Sequence, residues 1–319
     1  MTDKKICGRF APTPSGRIHL GNMFSSLLAW LYAKTAGGRI ILRIEDLDSI
    51  RCPRKNADQL AKDLEWLGLI WDSGAYTADN DQQYFQSQRF AVYEQYFKEL
   101  TQQELVYPCF CTRAELHAAE APHLSDGRVL YAGTCRNLTC AEQQQKALLK
   151  APAYRIKVNN IPISFTDGNY DYHEYDLTKE CGDFIIRRSD GVYAYQLAVV
   201  IDDALMGINQ VVRGCDLLTS TPMQLYLYQL LKLPVPKFIH IPLLTAPDGR
   251  RLAKRDKDWD LDYLRTVYDN PEPIIGYLAF LAGQLQHPEP LSAAELLKIF
   301  NPQKIPKKNI VVPLQLPKF

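Results

Sequence analysis

The sequence predicts an α/β protein built around a parallel sheet. Apolar and β-branched residues at 6–11 and 39–45 predict two buried strands near the amino terminus. Between them, the apolar-rich pattern of residues 19–36 is typical of a long helix, which ends at Gly37-Gly38. A strand, a helix and a second strand in this order form a βαβ unit, in which the two strands are parallel.

Weaker patterns extend this prediction along the chain. Residues 54–67 predict a helix with Leu60, Leu64 and Leu67 on one face. Residues 72–150 are polar, rich in glutamine and mainly helical in pattern, around a group of cysteines. Strands are predicted at 154–158, 184–188, 193–201, 210–213 and 238–241, a helix at 217–231, and a mainly helical end from 260 to about 300.

We interpret this order as a sheet domain that is interrupted by an inserted segment. The division is a first half of the sheet domain (1–100), an inserted metal-binding subdomain (101–180), a second half (181–245) and a C-terminal helical segment (246–319). The irregular region after Pro302 is rich in proline.

The composition is that of a globular protein with a packed core. The 319 residues are 46% hydrophobic and 23% charged, about two average domains in length. The formal charge of +1 indicates that any basic, nucleic-acid-binding surface is local. The longest apolar stretches, 23–33 and 274–282, are shorter than the ~20 residues of a membrane span, and no export signal is evident. We therefore expect a cytoplasmic protein without membrane partners, whose eight cysteines are thiols or metal ligands.

A turn rich in proline and glycine, residues 12–16, joins the first strand to the first helix. Sheets of this class bind ligands at such turns, and the amides of a helix N-terminus attract phosphate. Gly21 leaves room for a flat base or ribose, and His19 can donate to phosphate oxygens whose charge grows during a reaction. The alternative is a structural turn with His19 as a helix cap, and the turn alone does not decide between the two.

Two further motifs follow this turn in a fixed order. They are Arg-Ile-Glu-Asp-Leu-Asp at 43–48 and Arg-Leu-Ala-Lys-Arg at 251–255. Together with residues 9–21, they resemble the class I glutamyl-tRNA synthetases, and the resemblance runs from about residue 8 to at least residue 283. It implies a Rossmann-type parallel sheet, ATP and L-glutamate as substrates, and Mg²⁺ bound with ATP.

The family's two nucleotide signatures correspond to residues 19–22 and 251–255 of this chain. The resemblance implies that His19, Gly21, Asn22 and Lys254 bind ATP, with His19 and Lys254 stabilising the phosphate charge. Asn22 replaces the second histidine of the first signature, and Ala253 replaces the serine of the second. We expect activity to survive both changes because Lys254 is retained.

A glutamate ligand carries two carboxylates and one ammonium group, so its site needs two cations and one anion. Arg9 and Arg213 lie toward the ends of predicted strands and can each offer a bidentate donor to a carboxylate. Glu45 ends the second strand and can accept the ammonium group, while Tyr195 can add a hydroxyl donor. The alternative for each charged residue is a surface ion pair. By resemblance, the glutamate site contains Arg9, Phe10, Ala11, Pro12, Thr13, Glu45, Tyr195 and Arg213.

Cys109, Cys111 and Cys135 can supply three thiolates of a tetrahedral zinc site with one open position. On chemistry alone, the rival fourth ligands are Cys140, His117 and His123, and the alternative to a metal site is a set of unrelated buried thiols. The spacing Cys-x-Cys-x19-Tyr-x3-Cys resembles the zinc site of the glutamyl-Q tRNA(Asp) synthetases, a branch of the same family. That resemblance implies Tyr131 as the fourth ligand of one structural Zn²⁺.

The branch transfers glutamate to queuosine at the wobble position of the tRNA(Asp) anticodon, and the resemblance implies the same partner here. The chain ends soon after the lysine-containing motif at 251–255, so we expect it to lack the anticodon-binding domain of synthetases that charge tRNA 3′ ends. We also expect a monomer. Two alternatives stay open: a glutamyl-tRNA synthetase that charges a 3′ end, and a catalytically inactive, zinc-containing RNA-binding module. Intact His19, Glu45, Arg213 and Lys254 argue against the inactive module.

Overall fold

The computed structural model describes residues 5–77, 81–118, 130–250, 252 and 260–313, with only the backbone of residues 81, 113, 117 and 118. The strands in these ranges are β1 (Cys7–Phe10), β2 (Arg39–Leu42), β3 (Ser73–Gly74), β4 (Val106–Cys109), β5 (Ala153–Ile156), β6 (Pro162–Asp167), β7 (Asp171–Asp176), β8 (Ile185–Arg187), β9 (Gln210–Gly214), β10 (Lys237–Ile241), β11 (Leu244–Thr245) and β12 (Ile310–Val311). The helices are α1 (Leu20–Thr35), α2 (Arg54–Trp66), α3 (Phe90–Gln102), α4 (Arg113–Ala118), α5 (Cys140–Leu149), α6 (Leu177–Glu180), α7 (Tyr195–Leu205), α8 (Thr221–Leu230), α9 (Leu261–Val267), α10 (Glu272–Leu281) and α11 (Ala293–Ile299).

Parallel strands from two separate parts of the chain, residues 7–74 and 210–241, form the centre of the fold. Strands β1, β2 and β3 pair in parallel in that order, and β9 pairs in parallel with β10. The two sets lie side by side, since the Asn209 amide donates to the Cys7 carbonyl at 3.0 Å. The predicted βαβ unit is confirmed as β1, α1 and β2.

The central strands are buried on both faces. Ile40 and Leu42 of β2 pack into one apolar core with helices α1, α2, α10 and α11. Ile41 between them points to the other face and packs with α3, α7 and α8. Because successive side chains of a strand alternate between faces, this arrangement needs helices on both sides of the sheet. The ligand-binding edge of such a sheet is then its carboxyl end.

The predicted strand at 193–201 is wrong, because these residues lead into and begin α7 (Tyr195–Leu205). Residues 197–203 of α7 are all buried. A continuous apolar run that is buried on every side suits a central strand and a central helix equally well, so periodicity does not separate them. The correction places Tyr195 at the first turn of a helix instead of within a strand.

The middle of the chain forms smaller antiparallel units beside the main sheet. Strand β5 pairs with β4 and with β8, and β6 pairs with β7 as a hairpin. The hairpin turn contacts the main sheet, because the Gly168 amide donates to the Phe238 carbonyl at 2.9 Å. Among the described residues, no helix has the length and apolar character needed to cross a bilayer.

Candidate functional site

A cavity of about 490 Å³ lies at the carboxyl ends of β1, β2 and β9. Parallel α/β sheets bind ligands at this edge. The structure brings almost every sequence-predicted substrate residue to this one cavity; those lining it are Arg9, Phe10, Ala11, Pro12, Thr13, His19, Gly21, Asn22, Glu45, Tyr195 and Arg213. Lys254 and Ala253 lie outside the described residues.

His19 both caps helix α1 and faces the cavity. Its Nδ1 accepts from the Gly21 amide at 3.1 Å. In the neutral ring the proton is therefore on Nε2, the tautomer that can donate to an anionic ligand. A Cβ at Gly21 would lie 3.1 Å from His19 Cε1, so a side chain there would crowd the ring.

Asn22, which departs from the family signature, has a clear structural role. Its Oδ1 accepts from the His19 amide at 3.2 Å and completes a capping box at the start of α1. The substitution therefore keeps the helix terminus, and His19 with it, at the cavity wall.

Glu45 lies in a buried network of charges at the end of β2. Arg43, which is fully buried, binds Glu45 at 3.2 Å and Asp203 at 2.6 Å. Arg9 lies 3.4 Å from Asp203 and donates to the Val212 carbonyl at 3.3 Å. Burial raises the pKa of Glu45, and the nearby Arg43 and Arg9 oppose that rise. An additional cation beside Glu45 would further stabilise its ionised form.

Arg213 is a buried cation whose side chain is held by neutral groups. Its Nε binds His240 Nε2 at 3.0 Å, Nη1 donates to Gln224 Oε1 at 2.8 Å, and Nη2 donates to Thr221 Oγ1 at 2.8 Å. These acceptors are neutral, and no carboxylate of the described residues lies within ion-pair distance. Burial lowers the pKa of Arg213, and the positive charge of Arg9 lowers it further. The positive charge is therefore poised for an anionic ligand.

Tyr195 completes this wall of the cavity. Burial raises the pKa of its hydroxyl, and the charge of Glu45 adds to that rise, so Tyr195 stays protonated and can donate. Its neighbour Tyr193 instead packs in the apolar core against Phe90, Tyr93 and Phe97.

The described residues on either side of 253–259 lie beside the cavity. Leu252 lines the cavity, and its amide donates to the Leu244 carbonyl at 3.3 Å. Asp260 pairs with His19 as an isolated bridge, and the Leu261 amide donates to the Ile18 carbonyl at 3.0 Å.

The cysteine cluster forms a second site, next to strand β4. The sulfur atoms of Cys109, Cys111 and Cys135 lie within 4.8 Å of one another, and those of Cys111 and Cys135 are 3.6 Å apart. Tetrahedral zinc with Zn–S bonds of about 2.3 Å needs sulfur atoms about 3.8 Å apart. The Tyr131 hydroxyl lies 3.5 Å from Cys109 Sγ and accepts from the Cys135 amide at 2.8 Å. Three thiols thus lie together, with the Tyr131 hydroxyl beside the sulfur of Cys109.

A buried cation lies against this cluster. The Arg155 guanidinium stacks 3.7 Å from the centre of the Tyr131 ring, and its Nε donates to Cys109 Sγ at 3.2 Å. Arg155 is 6% exposed and pairs with no carboxylate of the described residues. The positive charge of Arg155 would therefore stabilise negatively charged thiolates in the cysteine cluster. Of the rival ligands, Cys140 is exposed at the start of α5, and the side chains of His117 and His123 lie outside the described residues.

Sequence reasoning missed several residues that hold the site in place. Asp203 and its neighbour Asp202 are buried in α7, and Asp202 binds Arg89 at 2.6 Å and the Tyr93 hydroxyl at 2.8 Å. Two adjacent acids within an apolar run were the available signal, because buried carboxylates need charged partners. His240 lies 2.6 Å from its partner Asp167, and no sequence pattern around either residue indicated a role at the site.

Comparison with known proteins agrees with this geometry. Residues 5–313 match the family described as class I tRNA synthetases (E and Q), catalytic domain. The chain is 46% identical to a glutamyl-Q tRNA(Asp) synthetase of Symbiobacterium thermophilum over 97% of both chains. It is 42% identical to a glutamate–tRNA ligase 2 of Alkalilimnicola ehrlichii, over 88% of this chain and 59% of that one.

A solved structure shows the same fold. It is a glutamate tRNA ligase from Elizabethkingia meningosepticum in complex with its amino acid, with a TM-score of 0.79 and 28% identity. The match covers 98% of this chain and 68% of the other. The predicted α/β class and Rossmann-type catalytic fold are therefore confirmed, and the chain is a ligase that belongs to the class I tRNA synthetase family.

Proposed function

We propose that the cavity binds L-glutamate and ATP and joins them as glutamyl-adenylate. The observation that carries the proposal is the buried charge of Arg213, which has no carboxylate within ion-pair distance among the described residues, in a cavity that also holds Arg9 and Glu45. A ligand carboxylate would neutralise Arg213, and a ligand ammonium group would stabilise ionised Glu45. Arg9 offers the second carboxylate contact. Glutamate, with two carboxylates and one ammonium group, matches this pattern of charges.

The ATP side of the cavity would be formed by the start of α1 and the motif at 251–255, which contains Lys254. His19 would donate through Nε2 to the phosphates, and Gly21 with Asn22 would line the space for the nucleoside. Lys254 would add a positive charge, and the described residues Leu252 and Asp260 on either side of it, which lie beside the cavity, support this role. Mg²⁺ would be bound with ATP and neutralise phosphate charge.

The chemistry then needs positioning and charge stabilisation more than a protein nucleophile. The α-carboxylate of glutamate attacks the α-phosphorus of ATP, and pyrophosphate leaves as the new P–O bond forms. An RNA hydroxyl next attacks the carbonyl of the adenylate, and AMP leaves. His19 and Lys254 would stabilise the charge on the phosphate oxygens in the first step.

For the second step, we propose queuosine of tRNA(Asp) as the acceptor, which the names of the full-length relatives support. Labelled glutamate should become attached to tRNA(Asp) that contains queuosine. Neither tRNA(Asp) without queuosine nor tRNA(Glu) should accept it, and these two RNAs are the matched controls. Transfer to tRNA(Glu) that is independent of queuosine would instead support charging of a 3′ end.

We also propose that Cys109, Cys111, Cys135 and Tyr131 hold one structural Zn²⁺. The three clustered sulfur atoms, the Tyr131 hydroxyl beside Cys109 and the adjacent charge of Arg155 support this site. The zinc would tie β4 to the segment around residue 131 and stabilise the proposed inserted subdomain, residues 101–180. We keep the four-part division of the chain, the monomeric state and a cytoplasmic location, where tRNA is modified, as parts of the same proposal.

Elemental analysis should find about one zinc per chain. Replacing Tyr131 by phenylalanine should weaken zinc binding by about tenfold or more in chelator competition, because it removes one of four ligands. Tyr172→Phe, at an exposed tyrosine, is the matched control. If Tyr131→Phe keeps its zinc while Cys140→Ser loses it, the fourth ligand is Cys140 instead.

A further inference from the structure

We infer that Asp167 and His240 are positioning residues that orient the Arg213 guanidinium toward the ligand carboxylate. His240 Nδ1 lies 2.6 Å from Asp167 Oδ2, and His240 Nε2 lies 3.0 Å from Arg213 Nε. All three side chains are buried, and only Arg213 lines the cavity. The inference rests on the proposed role of this cavity as the glutamate site.

The chemistry of the three groups determines where the proton of His240 lies. The Nε–H of arginine is always a donor, so His240 Nε2 must accept. The proton of the neutral ring is then on Nδ1, and it is donated to Asp167. Burial lowers the pKa of His240, which agrees with a neutral ring. Asp167 therefore selects the one tautomer that can hold Arg213.

The backbone fixes the positions of all three residues. His240 on β10 is directly opposite Arg213 on β9 in the parallel register. Asp167 is the last residue of β6, and its Oδ1 accepts from the amides of Asn169 and Tyr170, both at 2.9 Å. The hairpin β6–β7 of the middle segment thus reaches the main sheet and sets the orientation of a residue in the cavity wall.

His240 is the contact that sets the direction of the guanidinium plane. Gln224 and Thr221 accept from Nη1 and Nη2 of Arg213, and the ring centre of Phe238 lies 5.0 Å from Arg213 Cζ. Without an acceptor at Nε, the guanidinium loses the contact that holds its third nitrogen, and Thr221 Oγ1, which lies 3.3 Å from His240 Nε2, loses a neighbour as well. A misdirected cation would bind the ligand carboxylate less tightly, whereas ATP would be unaffected.

Two substitutions of His240 test its contact with Arg213 and its contact with Asp167 separately. Glutamine places a side-chain oxygen near the position of Nε2 and can still accept from Arg213. Asparagine places its amide near Nδ1, so it can contact Asp167 but cannot reach Arg213. We expect His240→Gln to retain most of the affinity for glutamate and His240→Asn to lose it.

Asp167→Asn tests the choice of tautomer. The amides of Asn169 and Tyr170 would keep the new amide oxygen at the position of Oδ1. The NH₂ group would then face His240 Nδ1, which must accept. The ring proton would move to Nε2, where it opposes the Nε–H of Arg213.

The experiment is pyrophosphate exchange with glutamate and ATP varied separately, combined with ¹⁵N NMR of the His240 ring. His240→Asn and Asp167→Asn should raise the KM for glutamate by about tenfold or more, with the KM for ATP within about twofold. His240→Gln should rescue most of that loss, and His173→Asn, on the same hairpin, should resemble wild type. Equal loss in His240→Gln and His240→Asn, or a parallel rise of both KM values, would overturn the inference.

The NMR measurement distinguishes this inference from the proposed function. Wild-type His240 should carry its proton on Nδ1, and Asp167→Asn should move the proton to Nε2. A wild-type proton on Nε2 would overturn the inference even if exchange is normal. Wild-type protein without exchange would instead contradict glutamate activation, and with it the role of the three residues at a glutamate site.

Discussion

Replacing Arg213 by methionine should lower kcat/KM for glutamate by about 10³-fold in pyrophosphate exchange. Removing one partner of a buried charge pair costs about 4 kcal/mol, and here the other partner would be a ligand carboxylate. Arg213 has no carboxylate partner among the described residues, so its charge is available to the ligand. The effect should appear with glutamate and not with ATP.

Arg188→Met is the matched control, because Arg188 is half exposed and its charge pairs with Asp190. Its exchange rate should stay near that of wild type. Thermal unfolding should show that both variants are folded. If Arg213→Met retained the wild-type kcat/KM for glutamate, Arg213 would not bind the substrate.

Lys254→Ala should slow adenylate formation by about 10²- to 10³-fold, the usual cost of losing one group that stabilises a transition-state charge. Glutamate binding, measured by calorimetry, should change little, because the glutamate side of the cavity is formed by Arg9, Glu45 and Arg213. Such a split would show that Lys254 acts on the phosphates. Lys257→Ala, three positions further along, is the control and should keep the wild-type exchange rate. Unchanged adenylate formation in Lys254→Ala would refute the role of this lysine.

Much of the fold was predictable because its signals are local. Glycines end α1, and apolar residues mark β1 and β2, so the βαβ unit follows from the order of these patterns. The carboxyl ends of parallel strands meet at one edge, which explains why Arg9 and Glu45 could be placed together from the sequence. The error at α7 arose where the pattern was uniformly apolar and held no period.

The supporting residues were not predictable, because they depend on contacts between distant parts of the chain. His240 faces Arg213 only through the register of β9 and β10, and Asp167 comes from a hairpin 73 positions away in sequence. The fourth ligand of the proposed zinc site had only one sequence signal, the resemblance that implied Tyr131. Chemistry alone left Cys140 and two histidines open, whereas the fold brings Tyr131 beside the three cysteines.

The most direct test of glutamate activation is pyrophosphate exchange by the purified protein with ATP, Mg²⁺ and labelled pyrophosphate. We expect label to enter ATP when L-glutamate is present, and not with aspartate or glutamine. Glutamine lacks the second carboxylate, and the two carboxylates of aspartate are closer together than those of glutamate. If glutamate produces no labelled ATP above the amino-acid-free background, the cavity does not form glutamyl-adenylate.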